Sequence, residues 1–318
     1  MIIRLILSRM VLAVLTLLAV SVFIFWTAEI LPGDIAARVL GREATEESKQ
    51  AFRDRLRLDR PLHERYWLWL KGAVQGDFGV SLVDQSQERQ VADSIKPRLK
   101  NTAILGVYAF ALYVPVTIFL ASISALYRDR LPDGVISLVN LVGLAMPEFV
   151  IGTVLIYGFA VKWSLLPVLS QIQRAETLKE ILNSTTLPAV TLTIVMSVYS
   201  IRLLRDSLIE VLESEYIRMA ILKGLPRYRV ILFHALPNAA APALNTMALN
   251  LAYLIGGVVV VEQVFAFQGL GSLLVQSVFV RDAPTIEAVA LLVSTVYIAA
   301  NLFADVMSIV LNPRLRTG

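Results

Sequence analysis

Residues 213–237 read ESEYIRMAILKGLPRYRVILFHALP, a charged segment set between two long apolar runs. It holds too much charge to cross a bilayer and is too well patterned for a slack loop. As a helix up to Lys223, it places Ile209, Leu212, Tyr216, Met219 and Ala220 on one face by i, i+3, i+4 spacing. Glu210, Glu213, Glu215 and Arg218 lie elsewhere around it. Gly224 can supply the left-handed conformation that ends such a helix. Pro226 suits the first position of a second short helix, running to Ala235. Pro237 then opens the next apolar run. Two short helices with a glycine joint, lying along a membrane, would form a rigid and side-specific knob. An ordinary amphipathic connector resting on the headgroups is the plainer alternative.

Working outward, the composition requires a membrane. The chain has 318 residues, of which 57% are hydrophobic and 17% charged, against about 25% charged in soluble domains. Apolar runs predict an all-α integral membrane protein with six spans, at about 10–28, 101–127, 135–161, 184–201, 235–261 and 288–311. Arg4 and Arg9 precede the first run, which is too long for a signal peptide and closes without a small-x-small cleavage site, so a retained span is expected. Pro115 falls within the second span, and Pro147-Glu148 interrupts the third. Region 29–100 is polar and broken. It carries a predicted short helix at 45–56, an aromatic cluster of Tyr66, Trp67 and Trp69 suited to the interface, and a turn at Gly76-Asp77-Phe78-Gly79.

Orientation follows from the basic residues of tails and short loops. Twelve Lys and Arg lie on the side that holds both termini and segment 202–234, against four on the other. The positive-inside rule therefore makes the termini and 202–234 cytoplasmic and 29–100 periplasmic.

Several chemistries are excluded. There is no cysteine, so thiol and disulfide chemistry is absent, and His63 and His234 lack metal-ligand spacing. No metal or other cofactor is expected on this chain. Basic residues are not gathered on a soluble domain, which disfavours nucleic acid as a partner and leaves membrane lipid. Lys223-Gly224 does not make a phosphate-binding loop, and no nucleophile–base–acid set stands out, so the chain is not read as an enzyme. Any use of ATP would fall to another chain.

Segment 213–237 resembles the cytoplasmic Glu-Ala-Ala loop of ABC importer permeases, whose pattern is Glu-Ala-Ala, a glycine and a closing Ile-x-Leu-Pro. Setting that glycine on Gly224 puts the second alanine on Ala220 and the ending on Leu236-Pro237; Arg218, Met219 and His234 depart from the pattern. The wider chain resembles the dipeptide/oligopeptide/nickel permease family. The matching motifs run in order: Leu31-Pro32-Gly33-Asp34, Leu58-Asp59-Arg60-Pro61, Gly76-Asp77-Phe78-Gly79, Pro147-x-Phe149-x-x-Gly152, His234-Ala235-Leu236-x-Asn238-Ala239, Val261-Glu262-x-Val264-Phe265, Gly269-Leu270-Gly271 and Pro313-Arg314. Asn312 stands where that family often has Asp.

The resemblance implies a type I ABC importer permease fold with cytoplasmic coupling helices, in a bacterial inner membrane. It implies a homologous second permease sharing the pore, two ATPase subunits that hold ATP and Mg, and a periplasmic binding protein that delivers peptides or related solutes. Coupling to the ATPase would fall to Glu215, Tyr216, Arg218, Met219, Ala220, Lys223, Gly224, Leu225, Leu236 and Pro237. A secondary transporter or channel working without an ATPase is the alternative; it would need coupling-ion residues in broken helices.

Four residues are candidates for the substrate pathway. Glu148, within the third span, is costly unless it faces a cavity or a partner group. Asn245 and Asn250 on the fifth span could line a pore or hydrogen-bond between helices. Glu262 could shape an outer gate or cap locally. Asn301 and Asp305 share a face of the sixth span, where packing between spans is the simpler reading.

Overall fold

The computed structural model describes residues 2–30, 44–55, 60–83 and 89–311. Among these the chain is helical, apart from turns and one isolated antiparallel bridge between Val80 and Gln90. In chain order the helices are α1 (Ile2–Ile30), α2 (Glu46–Arg55), α3 (Leu62–Gln75), α4 (Val91–Leu126), α5 (Leu131–Ala145), α6 (Glu148–Leu155), α7 (Leu178–Leu212), α8 (Glu215–Leu222), α9 (Arg227–Val230), α10 (Leu236–Val264), α11 (Leu270–Val280) and α12 (Ala283–Leu311). Two π-helical turns, Ile156–Lys162 and Ile231–Ala235, extend α6 and α9. The motifs Leu31-Pro32-Gly33-Asp34, Leu58-Asp59 and Asn312-Pro313-Arg314 lie outside the described residues.

Among the described residues, α1, α4, α7 and α12 are long and apolar enough to cross a membrane, and α5 with α6 makes a fifth candidate if the bent pair counts as one. That pair corresponds to the expected span 135–161, but it bends by 115°. Proline explains the break. Pro147 cannot donate a backbone hydrogen bond, and it holds Met146 extended at φ −91°, ψ 128°. The expected run 235–261 coincides with α10, 29 residues long.

The helices overrun the apolar runs that announce them. The run expected at 184–201 belongs to the 35-residue α7. Its start is set by a capping box: Thr177 Oγ1 accepts from Glu180 N at 3.3 Å, and the Glu180 carboxylate accepts from Thr177 N at 3.3 Å. Likewise α4 begins at Val91 and continues through Pro115. Hydropathy marks the apolar middle of a helix, whether it is buried or exposed, whereas caps mark its ends.

The chain divides into two compact units, residues 1–11, 101–268 and 296–318, and residues 12–100 and 269–295. In the first unit α7 is the central helix, packing on α5, α6 and α10. Leu105, Tyr113, Leu192, Met196, Leu254 and Phe265 form part of its larger core. Hydroxyl residues on the facing helices are buried too, including Thr117, Ser197 and Ser200. In an apolar setting such small polar groups permit close approach and hydrogen-bond across helices. Tyr113 and Ser200 share a hydrogen bond of 2.6 Å, and Thr193 Oγ1 donates to the Ala109 carbonyl at 3.2 Å.

In the second unit Val91 and Ile95 of α4 pack with Leu270 of α11 and Ala288 and Val289 of α12. The buried Asp282, between α11 and α12, accepts from Ser81 Oγ at 2.6 Å, Leu82 N at 3.0 Å and Thr285 Oγ1 at 2.6 Å. The aromatic cluster of α3 packs on α1: the Phe25 ring centre lies 5.6 Å from Tyr66 and 5.7 Å from Trp69, while Trp67 stays exposed. The expected turn follows α3, with Gly76 at φ +79° and Gly79 at φ +75°, where glycine avoids the strain that a side chain would bring.

Candidate functional site

The charged segment folds as a compact corner. α7 ends at Leu212, Ser214 takes the N-cap position of α8 with its hydroxyl turned back to the Val211 carbonyl, and the Ser214 carbonyl accepts from Ile217 N and Arg218 N, both at 3.2 Å. Gly224, at φ +77°, closes α8 in the left-handed conformation anticipated for it. Pro226 then starts α9, its carbonyl accepting from Arg229 N at 2.9 Å and Val230 N at 3.2 Å. The separate second helix expected from Pro226 to Ala235 is instead four residues of α helix and a π-helical turn that run directly into α10. Pro237 sits in the first turn of α10 and has no N–H to give to the preceding turn, so the widened turn falls where the regular ladder would be interrupted.

Ser214 also changes which side chains face inward. The sequence placed Tyr216, Met219 and Ala220 on one face with Ile209 and Leu212, as though one helix ran through. The break at residues 213–214 resets the phase. Ile217 at 0% and Ala220 at 7% exposure form the buried face of α8, whereas Tyr216 and Met219 are exposed. Ile217 and Ala220 pack with Ala121 and Ala125 of α4, Leu204 and Leu208 of α7, Val230 of α9, and Ala235. Leu225 and Leu236 pack against the same cluster from its margin. Ile217 was missed by the pattern; the Ser214 N-cap signal, three residues before it, would have found it.

On the outer side, Glu215, Tyr216, Arg218, Met219, Leu222 and Lys223 face outward. Arg218 Nη1 lies 3.7 Å from Glu215 Oε1, an exposed pair one helical turn apart. Tyr216 OH donates to the His234 carbonyl at 3.3 Å, which ties α8 to the turn that leads into α10.

Two ion pairs brace this corner. Arg205 of α7 meets Asp133 of α5 bidentately, Nε to Oδ1 at 2.7 Å and Nη2 to Oδ2 at 2.6 Å. The Ser124 hydroxyl and Asp129 N–H also donate to Asp133, which is 4% exposed. Arg128 Nη1 pairs with Glu213 Oε1 at 2.5 Å, holding the residue that closes α7 to the loop between α4 and α5. Neither pair was singled out in the sequence, where the partners stand far apart.

The remaining candidates are dispersed. Glu148, the first residue of α6, accepts from Tyr253 OH at 3.3 Å. It lies on the wall of a cleft of about 430 Å³ that includes Met146, Pro147, Val198, Tyr199 and Tyr253. Asn250 Nδ2 donates to Tyr113 OH at 2.7 Å, Ser200 Oγ at 3.1 Å and the Met196 carbonyl at 3.1 Å, so it hydrogen-bonds between helices. The Asn245 side chain lies outside the described residues. Glu262 is 0% exposed in the last turn of α10 and accepts from Thr102 Oγ1 at 2.7 Å. Asp305 pairs with Arg9 at 3.1 Å.

The sequence is similar to known transport proteins over nearly its whole length. Residues 117–317 match the family described as binding-protein-dependent transport system inner membrane component, and residues 2–105 match the corresponding N-terminal family. The glutathione transport system permease protein GsiC of Escherichia coli strain K12 is 37% identical over 301 residues, covering 95% of each chain. GsiC of Shigella dysenteriae serotype 1 matches to the same extent. The Shigella boydii serotype 4 protein is 37% identical over 302 residues, again covering 95% of each chain.

Proposed function

Because this chain belongs to the family of binding-protein-dependent transport system inner membrane components, and is a permease subunit of an ABC importer, we propose that α8 is its coupling helix and that the chain forms half of a translocation pore. The carrying observation is the two-sided character of α8. Ile217 and Ala220 lock it to α4, α7 and α9, while Tyr216, Met219 and Leu222 are presented outward. A helix fixed at both ends and buried along one side passes on a push as displacement, because a packed core moves as a body. Glu215, Arg218 and Lys223 flank the exposed apolar strip, and Gly224, Leu225, Leu236 and Pro237 set its return to the membrane.

The full assembly comprises a homologous second permease, two ATPase subunits that carry ATP and Mg, and a periplasmic binding protein. Six spans, at the boundaries given by the apolar runs, place both termini and 202–234 in the cytoplasm. Region 29–100 lies in the periplasm, where it shapes the outer mouth. The solutes are short peptides or glutathione-like compounds, a class supported by the GsiC relatives. Reconstitution in vesicles tests this: with partner permease, ATPases and binding protein, uptake should depend on ATP. Uptake by this chain alone, driven by an ion gradient, would overturn it.

A further inference from the structure

The cleft beside Glu148 lies where α5 and α6 part at their 115° bend. Its walls are apolar and aromatic, from Leu144, Met146 and Phe149 on the bent pair, Val198 and Tyr199 on α7, and Val260 on α10. Apart from the two tyrosines, Glu148 is the one titratable side chain among its lining residues. Across from it α10 presents Gly257, where a Cβ would come within 3.2 Å of Glu148 Oε2 and 3.3 Å of the Tyr253 ring. The glycine therefore leaves the carboxylate and the phenol room to face the cleft. A carboxylate in an apolar wall is costly without a cationic partner.

From this arrangement, and resting on the importer reading above, we propose that the cleft is a substrate subsite that receives a primary ammonium group, with Glu148 as its counter-ion. Tyr253 OH, already donating to Glu148 Oε2, orients the carboxylate. Tyr199 and Tyr253 both line the cleft, and aromatic rings at such a site add attraction for an organic cation. Two oxygens are too few for a bare divalent ion, and among the described residues no cluster of three or more metal-ligating side chains occurs. About 430 Å³ suits a small organic molecule. The class selected is a solute with a free amino end, a short peptide or amino acid, over its N-acylated counterpart.

The test uses the complete complex of both permeases and ATPases in lipid nanodiscs, without the binding protein, and measures binding of trialanine and N-acetyl-trialanine by equilibrium dialysis. Trialanine should bind at least tenfold more tightly. Glu148→Gln should remove that preference, and Tyr253→Phe should reduce it, with both variant complexes still assembled and hydrolysing ATP. Equal binding of the two peptides, or an unchanged preference in Glu148→Gln, overturns the subsite. Loss of the second permease from the Glu148→Gln complex also overturns it, by assigning the carboxylate to a subunit contact. In each of these cases ATP-driven uptake by the wild-type complex leaves the importer reading standing; its absence would instead strike at that reading.

Discussion

Arg205 and Asp133, 72 residues apart in sequence, form a bidentate pair at 2.6 and 2.7 Å that joins α7 to the start of α5. The carboxylate side chain is 6% exposed and the guanidinium 22%. Truncating one partner of such a pair leaves the other charge uncompensated, at a cost of about 3–5 kcal/mol when fully buried and less here, because Arg205 keeps some contact with water. Asp133→Ala should therefore lower the melting temperature of the detergent-solubilised chain by several degrees. Replacing both residues, Asp133→Leu with Arg205→Met, should cost less than Asp133→Ala alone. A double variant that melts lower than the single one would show that the pair is a net source of stability.

The two faces of α8 should separate stability from coupling. Ile217→Ala removes a fully buried side chain, and large-to-small changes of that kind cost about 2–5 kcal/mol. It should lower the melting temperature. Met219→Ala, on the exposed face, should leave stability within about 0.5 kcal/mol of the parent and weaken co-purification with the ATPases. Gly224→Pro forces φ negative where +77° is needed, so it should also lose the ATPases while the chain still inserts. Unchanged co-purification in both Met219→Ala and Gly224→Pro would remove the coupling assignment.

Much of this was legible because each long helix announces itself by lack of charge. The frame of the corner was legible too: Gly224 takes the conformation that only glycine adopts readily, and the 76–79 turn does the same. What was hidden depends on phase and on partners distant in sequence. A helical pattern carried through Ser214 puts Tyr216 inside; once the cap resets the phase, Ile217 takes that place. Pro147 marked an interruption, but the 115° angle at which α5 and α6 meet is a matter of tertiary structure that periodicity does not encode. Asp133 and Arg205 stand 72 residues apart, and a residue's partner cannot be read from its own neighbourhood.

Asp282 anchors segment 81–82 through two accepted hydrogen bonds, from Ser81 Oγ and Leu82 N, and accepts a third from Thr285 Oγ1. Asp282→Ala strips the acceptor and leaves the buried Thr285 hydroxyl and the partly buried Ser81 and Leu82 donors without it, at about 1–3 kcal/mol each where water cannot replace it. The Leu82 amide should then exchange with solvent at least tenfold faster in hydrogen–deuterium exchange. Exchange at Ile217 N, held by Ser214 at 3.2 Å in the other unit, should be unaffected. Equal acceleration at both amides would mean general loosening, and no change at Leu82 would mean that the contact contributes little.

Orientation is open to a clean test because the sequence holds no cysteine, so a single introduced thiol reports alone. Val74, 82% exposed on α3, and Met219, 53% exposed on α8, both present their side chains outward from the chain. With segment 202–234 in the cytoplasm and 29–100 in the periplasm, Val74→Cys in intact spheroplasts should react with a membrane-impermeant maleimide, and Met219→Cys only after lysis. The excess of basic residues from which this orientation is proposed is not altered by either substitution. Labelling of Met219→Cys before lysis, with Val74→Cys protected until then, would invert the topology and move α8 away from any cytoplasmic ATPase.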